Sequence, residues 1–448
     1  MSTSDGPVAR APLSANQEFL CGFDLGDADG PFGPRFHIVH GWRLRGEVDV
    51  EALRGALVDV VERHEALRTL IVRDEPERYQ KILPAGQPHL EVRELGSADG
   101  DRDRRVEELI IEVESGEIHP DPPLVRAVLG RFDDKDSVLV LIVHHTAADG
   151  WSVRLVIRDL ATRYAARRGF DVGELPDPRQ YREFAEWQAE NVSGTELDRS
   201  REFWRKTLDG ARVYSVPTDL PKSAGIPESS GVYRFQIAAE LVKPALELAS
   251  AMRSTPFMVL LAAFEVLVHR TTGETDVTVP TFTPGRGHEQ FQLTVGPFFN
   301  YLPLRTDLAG AATFREVATR VRRSCLQAYS HDIPFGQVAA QAPDLMTRTL
   351  EDRRAAVVFQ VFPFPFLLDG ELVGDLEFSE VRRRLLSQPV GSDVPNGALW
   401  TLNLDPSGDI VAGIQYNTNL FEEASVAAMV EQFVQVLGDT VTRPDAPL

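Results

Sequence analysis

The sequence predicts an α/β protein of two halves, each with helices packed on a sheet. Three observations lead there. Segments whose apolar residues recur at helical spacing alternate with short continuous apolar runs bounded by charged residues, glycine or proline. Near the middle this alternation lapses, and Val216–Ser230 is rich in proline, glycine and serine, the composition of exposed irregular chain. The length of 448 residues, 43% of them hydrophobic, suffices for a large core in two or three units. The expected division is an N-terminal half over 1–190, a crossover over 191–230 and a C-terminal half over 231–448.

Taken in order, Leu53, Leu57, Val60, Val61 and Leu67 share one helical face, so residues 50–70 predict a helix, and Arg104–Val113 predicts another. Val138–Val143 is a continuous apolar run and reads as a buried strand, with a weaker one at Leu124–Leu129. An amphipathic helix follows from Ser152 to Arg168. In the second half Thr255-Pro256 pairs an N-cap with proline at the first helical position, and the helix they open ends near Gly273. Strands are expected at Asp276–Phe282, Ala356–Phe362, Leu399–Leu404 and Ile410–Tyr416, with a final helix over Glu423–Leu437. No short-period repeat is visible.

A net charge of −20 repels phosphate backbones, which argues against nucleic acid and anionic membranes as partners and leaves room only for a local basic docking patch. Cys21 and Cys325 are far apart and lack CxxC spacing, so neither a disulfide framework nor a cysteine metal site is supported, and a reducing, cytoplasmic setting fits. Met1–Arg10, polar and holding Asp5 and Pro7, lacks the charged start and apolar core of a secretion signal. The most apolar stretch, Pro256–Val268, is interrupted by Glu265 and falls short of the ~20 residues that cross a bilayer, so it reads as a buried helix.

Polar chemistry is concentrated where the buried strand ends, in His144-His145-Thr146-Ala147-Ala148-Asp149-Gly150-Trp151-Ser152. Side chains alternate along a strand, so only one of His144 and His145 can face a cavity. Gly150 lets backbone approach a ligand, and a helix starting near Trp151 or Ser152 aims unpaired N–H groups at the same place, where an oxyanion would find donors. Each residue has an ordinary reading as well. A lone histidine at a strand end is usually a satisfied core residue, and Asp149 could simply cap the helix. His, His and Asp are also metal ligands, but adjacent strand histidines diverge and no HExxH pair exists, so no metal is assigned.

The segment resembles the HHxxxDG motif of the condensation domains of nonribosomal peptide synthetases, and further resemblances recur in order along the chain. Ser14-Ala15-Asn16-Gln17 is similar to the opening SxAQ motif of that family, and Arg63-His64-Glu65-Ala66-Leu67-Arg68-Thr69 to RHExLRT. Tyr181-Arg182-Glu183-Phe184-Ala185-Glu186-Trp187-Gln188 resembles YxDYAxWQ. Val295-Gly296-Pro297-Phe298-Phe299-Asn300-Tyr301-Leu302-Pro303-Leu304-Arg305 resembles VGxFxNxLPLR, and His331-Asp332-Ile333-Pro334-Phe335 resembles (H/N)QDxPFE. The resemblance covers residues 12 to 437.

It implies a pseudodimer of two chloramphenicol-acetyltransferase-like lobes in a V, with a central tunnel through which donor and acceptor reach the motif from opposite faces. It implies that His145 faces the tunnel beside His144, and that Asp149 is structural and paired with an arginine of the second lobe, by position Arg286 in Pro284-Gly285-Arg286. Trp151 and Asn300 are expected at the same tunnel. No cofactor is expected to bind the chain directly; the phosphopantetheine arm of a partner acyl- or peptidyl-carrier protein would enter the tunnel. Such carriers are acidic, so docking is expected where arginines cluster, at Arg322 with Arg323 and at Arg382, Arg383 and Arg384.

The implied reaction moves a carrier-bound aminoacyl or acyl thioester onto a hydroxyl or amine, giving an ester or amide in natural-product biosynthesis. Few residues lie outside the matched region, so the chain reads as free-standing and its acceptor as a free small-molecule alcohol or amine. The alternatives are carrier-bound peptide condensation, epimerisation and a non-enzymatic recruitment platform. Asn300 and Leu302-Pro303-Leu304-Arg305 argue against the epimerase, and the retained histidine motif argues against the platform. The arginine-rich RDxSRNPL element of the family has no copy here. Arg353-Arg354 to Pro363 occupies its place, which points to an altered acceptor pocket.

Overall fold

The structure, a computed structural model, describes residues 9–74, 76–96, 101–118, 121–362, 368–394 and 397–448. Met1–Val8 and Pro363, both used above, lie outside them. The N-terminal elements are β1 (Ala9–Pro12), α1 (Ala15–Cys21), β2 (His37–Arg45), α2 (Val50–Arg63), β3 (Thr69–Val72), β4 (Tyr79–Ile82), β5 (His89–Glu94), α3 (Arg102–Glu114), β6 (Val125–Asp133), β7 (Asp136–His144), α4 (Gly150–Arg167) and α5 (Tyr181–Asn191). Then come α6 (Gly194–Thr207), β8 (Ser215–Pro217), β9 (Ser230–Ile237), α7 (Ala239–Ala251), α8 (Pro256–Thr272), β10 (Asp276–Thr283) and β11 (Asn300–Asp307). The chain ends with α9 (Phe314–Tyr329), α10 (Phe335–Ala339), β12 (Arg354–Phe362), β13 (Asp369–Val373), β14 (Leu376–Glu380), β15 (Gly397–Leu404), β16 (Ile410–Asn417) and α11 (Glu423–Thr442).

One sheet runs β13-β14-β2-β7-β6-β5. All nine residues of β7 are buried because both faces of this strand are covered. Leu139, Leu141 and Val143 pack in the cluster that contains α2 and α4, and Val138, Val140 and Ile142 in the cluster that contains α3. That is why the strand reads as an unbroken apolar run. A second sheet runs β8-β12-β15-β16-β9, and β10 pairs antiparallel with β11. Its core contains a group of four rings: Phe264 of α8, Phe359, Trp400 and Phe433 meet one another with ring centroids 4.8 to 6.3 Å apart.

The α8 ends follow the expected chemistry. Thr255 Oγ1 accepts from Met258 N at 3.3 Å, Pro256 opens the helix, and Gly273 closes it at φ 74°. Its residues Met258–Val268 are buried, and among the described residues no single helix is long and apolar enough to cross a membrane.

Three expectations change. The helix expected over 50–70 stops at Arg63: His64 is extended (φ −115°, ψ 100°), Glu65–Arg68 form a 3-10 turn, and Thr69 starts β3. The stretch 191–230, expected as the crossover, holds α6 and β8, while the irregular chain expected at Val216–Ser230 holds one 3-10 turn, Lys222–Ala224, between β8 and β9. Polar α6 plants only Leu197, Ser200 and Trp204 in the core, a stripe too narrow to mark the composition. The third change is long-range. The β13–β14 hairpin, from far into the C-terminal half, completes the N-terminal sheet, with β14 pairing antiparallel to β2 from Glu377↔Arg45 to Glu380↔Trp42.

Candidate active site

The apolar run of β7 ends at His144, and the chain turns there. His144 points inward and is hydrogen-bonded at both nitrogens: Nε2 lies 3.1 Å from the Gly33 carbonyl and Nδ1 2.7 Å from Thr146 Oγ1. A carbonyl can only accept, so Nε2 carries the proton and Nδ1 receives the Thr146 hydroxyl. Burial pushes the His144 pKa down to about 4.

His145 diverges from it. Its backbone N–H donates to Phe36 O at 2.8 Å, its ring stacks on Phe36 (centroids 4.9 Å, planes 22° apart), and Phe299 meets it edge-on at 5.6 Å. Nδ1 is buried and has no partner in hydrogen-bond geometry among the described residues. Burial lowers the His145 pKa, against the nearby backbone and the charge of Asp149, so the imidazole is neutral at neutral pH.

Helix α4 begins at Gly150, slightly earlier than expected, with Asp149 as N-cap accepting from Ser152 N at 2.7 Å. Asp149 does more than cap. Its carboxylate accepts from Arg286 Nη2 (3.0 and 3.3 Å) and from Phe298 N (3.3 Å). Arg286 also donates to Ser152 Oγ (2.8 Å) and to the carbonyls of Phe291 (3.2 Å) and Thr294 (2.8 Å), and it lies 4.0 Å above the Phe298 ring. Ser152 Oγ in turn bridges both backbone groups of Gly296, at 2.8 and 3.0 Å. Gly285, at φ +62°, has to be glycine, because a Cβ would stand 1.7 Å from the Phe298 carbonyl oxygen. At Gly150 the reverse holds: beyond its chain neighbours and its own helix backbone, a Cβ would meet no atom of the described residues within 4 Å.

The other expected residues are placed as follows. Trp151, half-buried, donates from Nε1 to Gln292 O at 3.1 Å. Asn300 staples the start of β11 to the segment before α10. It donates to Asp332 Oδ1 (2.6 Å) and Ile333 O (2.8 Å) and accepts from Phe335 N (3.1 Å). Arg382, Arg383 and Arg384 are not an unneutralised basic patch. Arg382 lies 2.8 Å from Glu380, Arg383 2.9 Å from Asp409, and Arg384 joins Arg234 on the buried Glu114. Arg322 donates to Arg253 O at 2.9 Å and Arg323 is exposed; among the described residues neither has a carboxylate within salt-bridge distance. Among the described residues no group of three or more His, Cys, Asp or Glu could hold a metal ion.

Reading the sequence missed Phe36, an isolated aromatic with no periodicity around it, and Ser152, read only as a helix start. It also could not show that separated motifs touch. Ser14 Oγ lies 2.8 Å from Tyr181 Oη, which donates to Pro297 O at 2.9 Å. His64 Nε2 lies 2.9 Å from the buried Asp159, which Arg63 and Arg158 also hold.

A family model described as Condensation domain matches residues 34–448. Malpinin synthetase of Mortierella alpina is 35% identical over 99% of this chain, which spans only 6% of that protein's length. Of the linear gramicidin synthase chains of Brevibacillus parabrevis that it also matches, this chain spans 6 to 8%. The SgcC5 protein of Streptomyces globisporus, crystallised with (R)-(-)-1-(2-naphthyl)-1,2-ethanediol and sucrose, is similar at 49% identity and a TM-score of 0.94, covering 98% of this chain and 100% of that one. The first condensation domain of the calcium-dependent antibiotic synthetase, at 18% identity, shares the fold with a TM-score of 0.78 over 98% of each chain. The chain therefore belongs to the condensation-domain family of nonribosomal peptide synthesis and has its fold, a pseudodimer of two chloramphenicol-acetyltransferase-like lobes.

Proposed function

We propose that this chain transfers an aminoacyl or acyl group from the phosphopantetheine thioester of a carrier protein to a small-molecule hydroxyl or amine, forming an ester or amide. The observation that carries this reading is His145: a neutral imidazole with Nδ1 buried, placed one short turn before the N-terminus of α4. A thioester is already activated, so the chain has chiefly to orient the acceptor and take its proton. His145 Nε2 accepts that proton as the acceptor oxygen or nitrogen bonds to the thioester carbonyl carbon. The oxyanion forms at the Gly150 N–H, in the positive field of the helix end. Collapse breaks the C–S bond, and the proton held on His145 passes to the departing thiolate. Asp149 and Arg286 are positioning residues that hold the first turn of α4.

A hydroxyl acceptor is favoured because the 49% identical SgcC5 protein was crystallised with a diol that has no amine. Carrier docking is assigned to Arg322 and Arg323, where charge is available to an acidic partner. Intact-mass analysis of a panel of loaded carriers, incubated with free acceptors or acceptor-loaded carriers, tests the reading. Transfer to a free acceptor that is lost in His145→Ala supports it; transfer only to carrier-bound amines overturns it.

A further inference from the structure

Beyond His145 the site is walled by rings whose arrangement goes further than proton transfer requires. Phe299, edge-on to the imidazole, is also edge-on to Phe282 (5.5 Å, 85°) and Phe19 (6.3 Å, 76°), and Phe282 meets Tyr301 at 5.6 Å. Phe36 and Tyr301 are buried, but Phe19, Phe282 and Phe299 are only half-buried, so each keeps part of its ring uncovered. Phe19 and Phe299 pack at the edge of the small core cluster of Leu20, Cys21, Phe32, Phe36 and Ile71 without being closed over by it. The preceding residue, Phe298, does the core's work at 1% exposure, against Tyr181, Phe184 and Arg286. Phe299 also occupies an unspecified position of the VGxFxNxLPLR pattern, so its ring belongs to this chain rather than to the shared motif.

We propose that Phe299, Phe282 and Phe19 form an aryl subsite, and that the acceptor carries its nucleophile one or two bonds from an aromatic ring seated there. The inference rests on the transfer proposed above. Phe299 lies at ring-contact distance from the imidazole, so a ring placed against it brings its nearest substituent within reach of Nε2. The ring is assigned to the acceptor, the molecule that surrenders its proton at this nitrogen. Three edge-on contacts around Phe299 make an array that a further aromatic ring extends, whereas a saturated ring of the same size lacks the quadrupole to match it.

Carrier-free binding to the full chain tests this, with 1-phenyl-1,2-ethanediol and 1-cyclohexyl-1,2-ethanediol as probes that differ only in the ring. Calorimetry should give the phenyl compound an affinity about two- to tenfold higher. Only the phenyl compound should move the His145 Hε1 resonance by ring current, the signal being assigned by its loss in His145→Ala. Phe299→Leu should bring the affinity ratio close to one and Phe282→Leu should reduce it; the second variant decides if the first does not fold. Equal affinities, an unchanged ratio in the folded variants, or no response at His145 would overturn the subsite. So would failure of both diols and of the matching phenethylamine and cyclohexylethylamine to bind. A preserved aryl preference in binding, without transfer from any loaded carrier, would instead reject the proposed reaction and leave the subsite standing.

Discussion

Arg286 and Asp149 stand 137 positions apart in the chain and meet at 3.0 Å with both side chains out of solvent. Their contact joins the helix that follows the histidine motif to the segment before β11. Removing either partner leaves a buried charge uncompensated, a loss of about 3–5 kcal/mol. Asp149→Ala and Arg286→Ala should each lower stability by that order in urea denaturation. The double variant should cost clearly less than the two losses added, because the second change removes the stranded charge. Single losses below about 1 kcal/mol would mean that water reaches the pair.

His145→Ala should reduce transfer by about 10²–10⁴-fold with little change in thermal stability. His144→Ala should do the opposite in emphasis, since both of its nitrogens are engaged in holding Gly33 and Thr146. Because burial lowers the His145 pKa, the acid limb of kcat/KM should lie below the ordinary histidine value of 6.5. A larger activity loss in a well-folded His144 variant would reverse the two roles.

His144 also links stability to pH. Above 6.5 it is neutral folded or unfolded; between 6.5 and about 4 only the unfolded chain binds the proton, so stability falls as pH falls through that window. The stability difference between wild type and His144→Gln isolates this group. It should shrink by about 3 kcal/mol on going from neutral pH to pH 4. A difference that stays constant over that range would show the imidazole to be solvated.

Glu265 works in the other direction. It is fully buried in α8, Oε1 accepts from Thr306 Oγ1 at 3.1 Å, Oε2 has no partner among the described residues, and burial raises its pKa. The stability it contributes is present below 4.5 and is lost as pH rises toward the raised folded value. Glu265→Gln, which never has to ionise, should therefore gain on the wild type as pH rises above 4.5. Parallel stability curves in chemical denaturation would contradict a protonated buried carboxyl.

Reversing Arg322 and Arg323 to glutamate should weaken binding of a loaded carrier, and the effect should fade as salt is added. The same reversal at Arg383 should act mainly on its contact with Asp409. Titration of a fluorescent carrier at low and moderate ionic strength separates the two, and equal affinity across all variants would remove docking from α9.

The parts legible in the sequence are those whose cause is local. Thr255, Pro256 and Gly273 carry the α8 ends in their own chemistry, and the β7 run signals a strand covered on both faces. Asp149 with Arg286 was reachable only through resemblance, since no local pattern joins positions so far apart. Arg383 and Arg384 read as part of a basic patch because their partners lie elsewhere, Glu114 being 270 residues from Arg384, whereas the Arg382 partner, Glu380, stands in the same segment. Helix α6 hid because Leu197 and Trp204 are nearly all the apolar surface it needs. The β13–β14 hairpin hid because β13 is almost wholly exposed, and its companion β14 is fixed by pairing with a strand near the opposite end of the chain.

That pairing has a consequence in time. During synthesis β2 is complete when residue 45 has emerged, but β14, which covers its edge, follows about 330 residues later. At ordinary ribosomal speeds of about 5–20 residues per second, the interval is on the order of 20 to 70 seconds. Through it the growing sheet presents an unpaired row of N–H and C=O groups to the surrounding solution, an invitation to association with other chains. The bare edge carries Arg43 and Arg45, charges of the kind that discourage such association until the hairpin arrives.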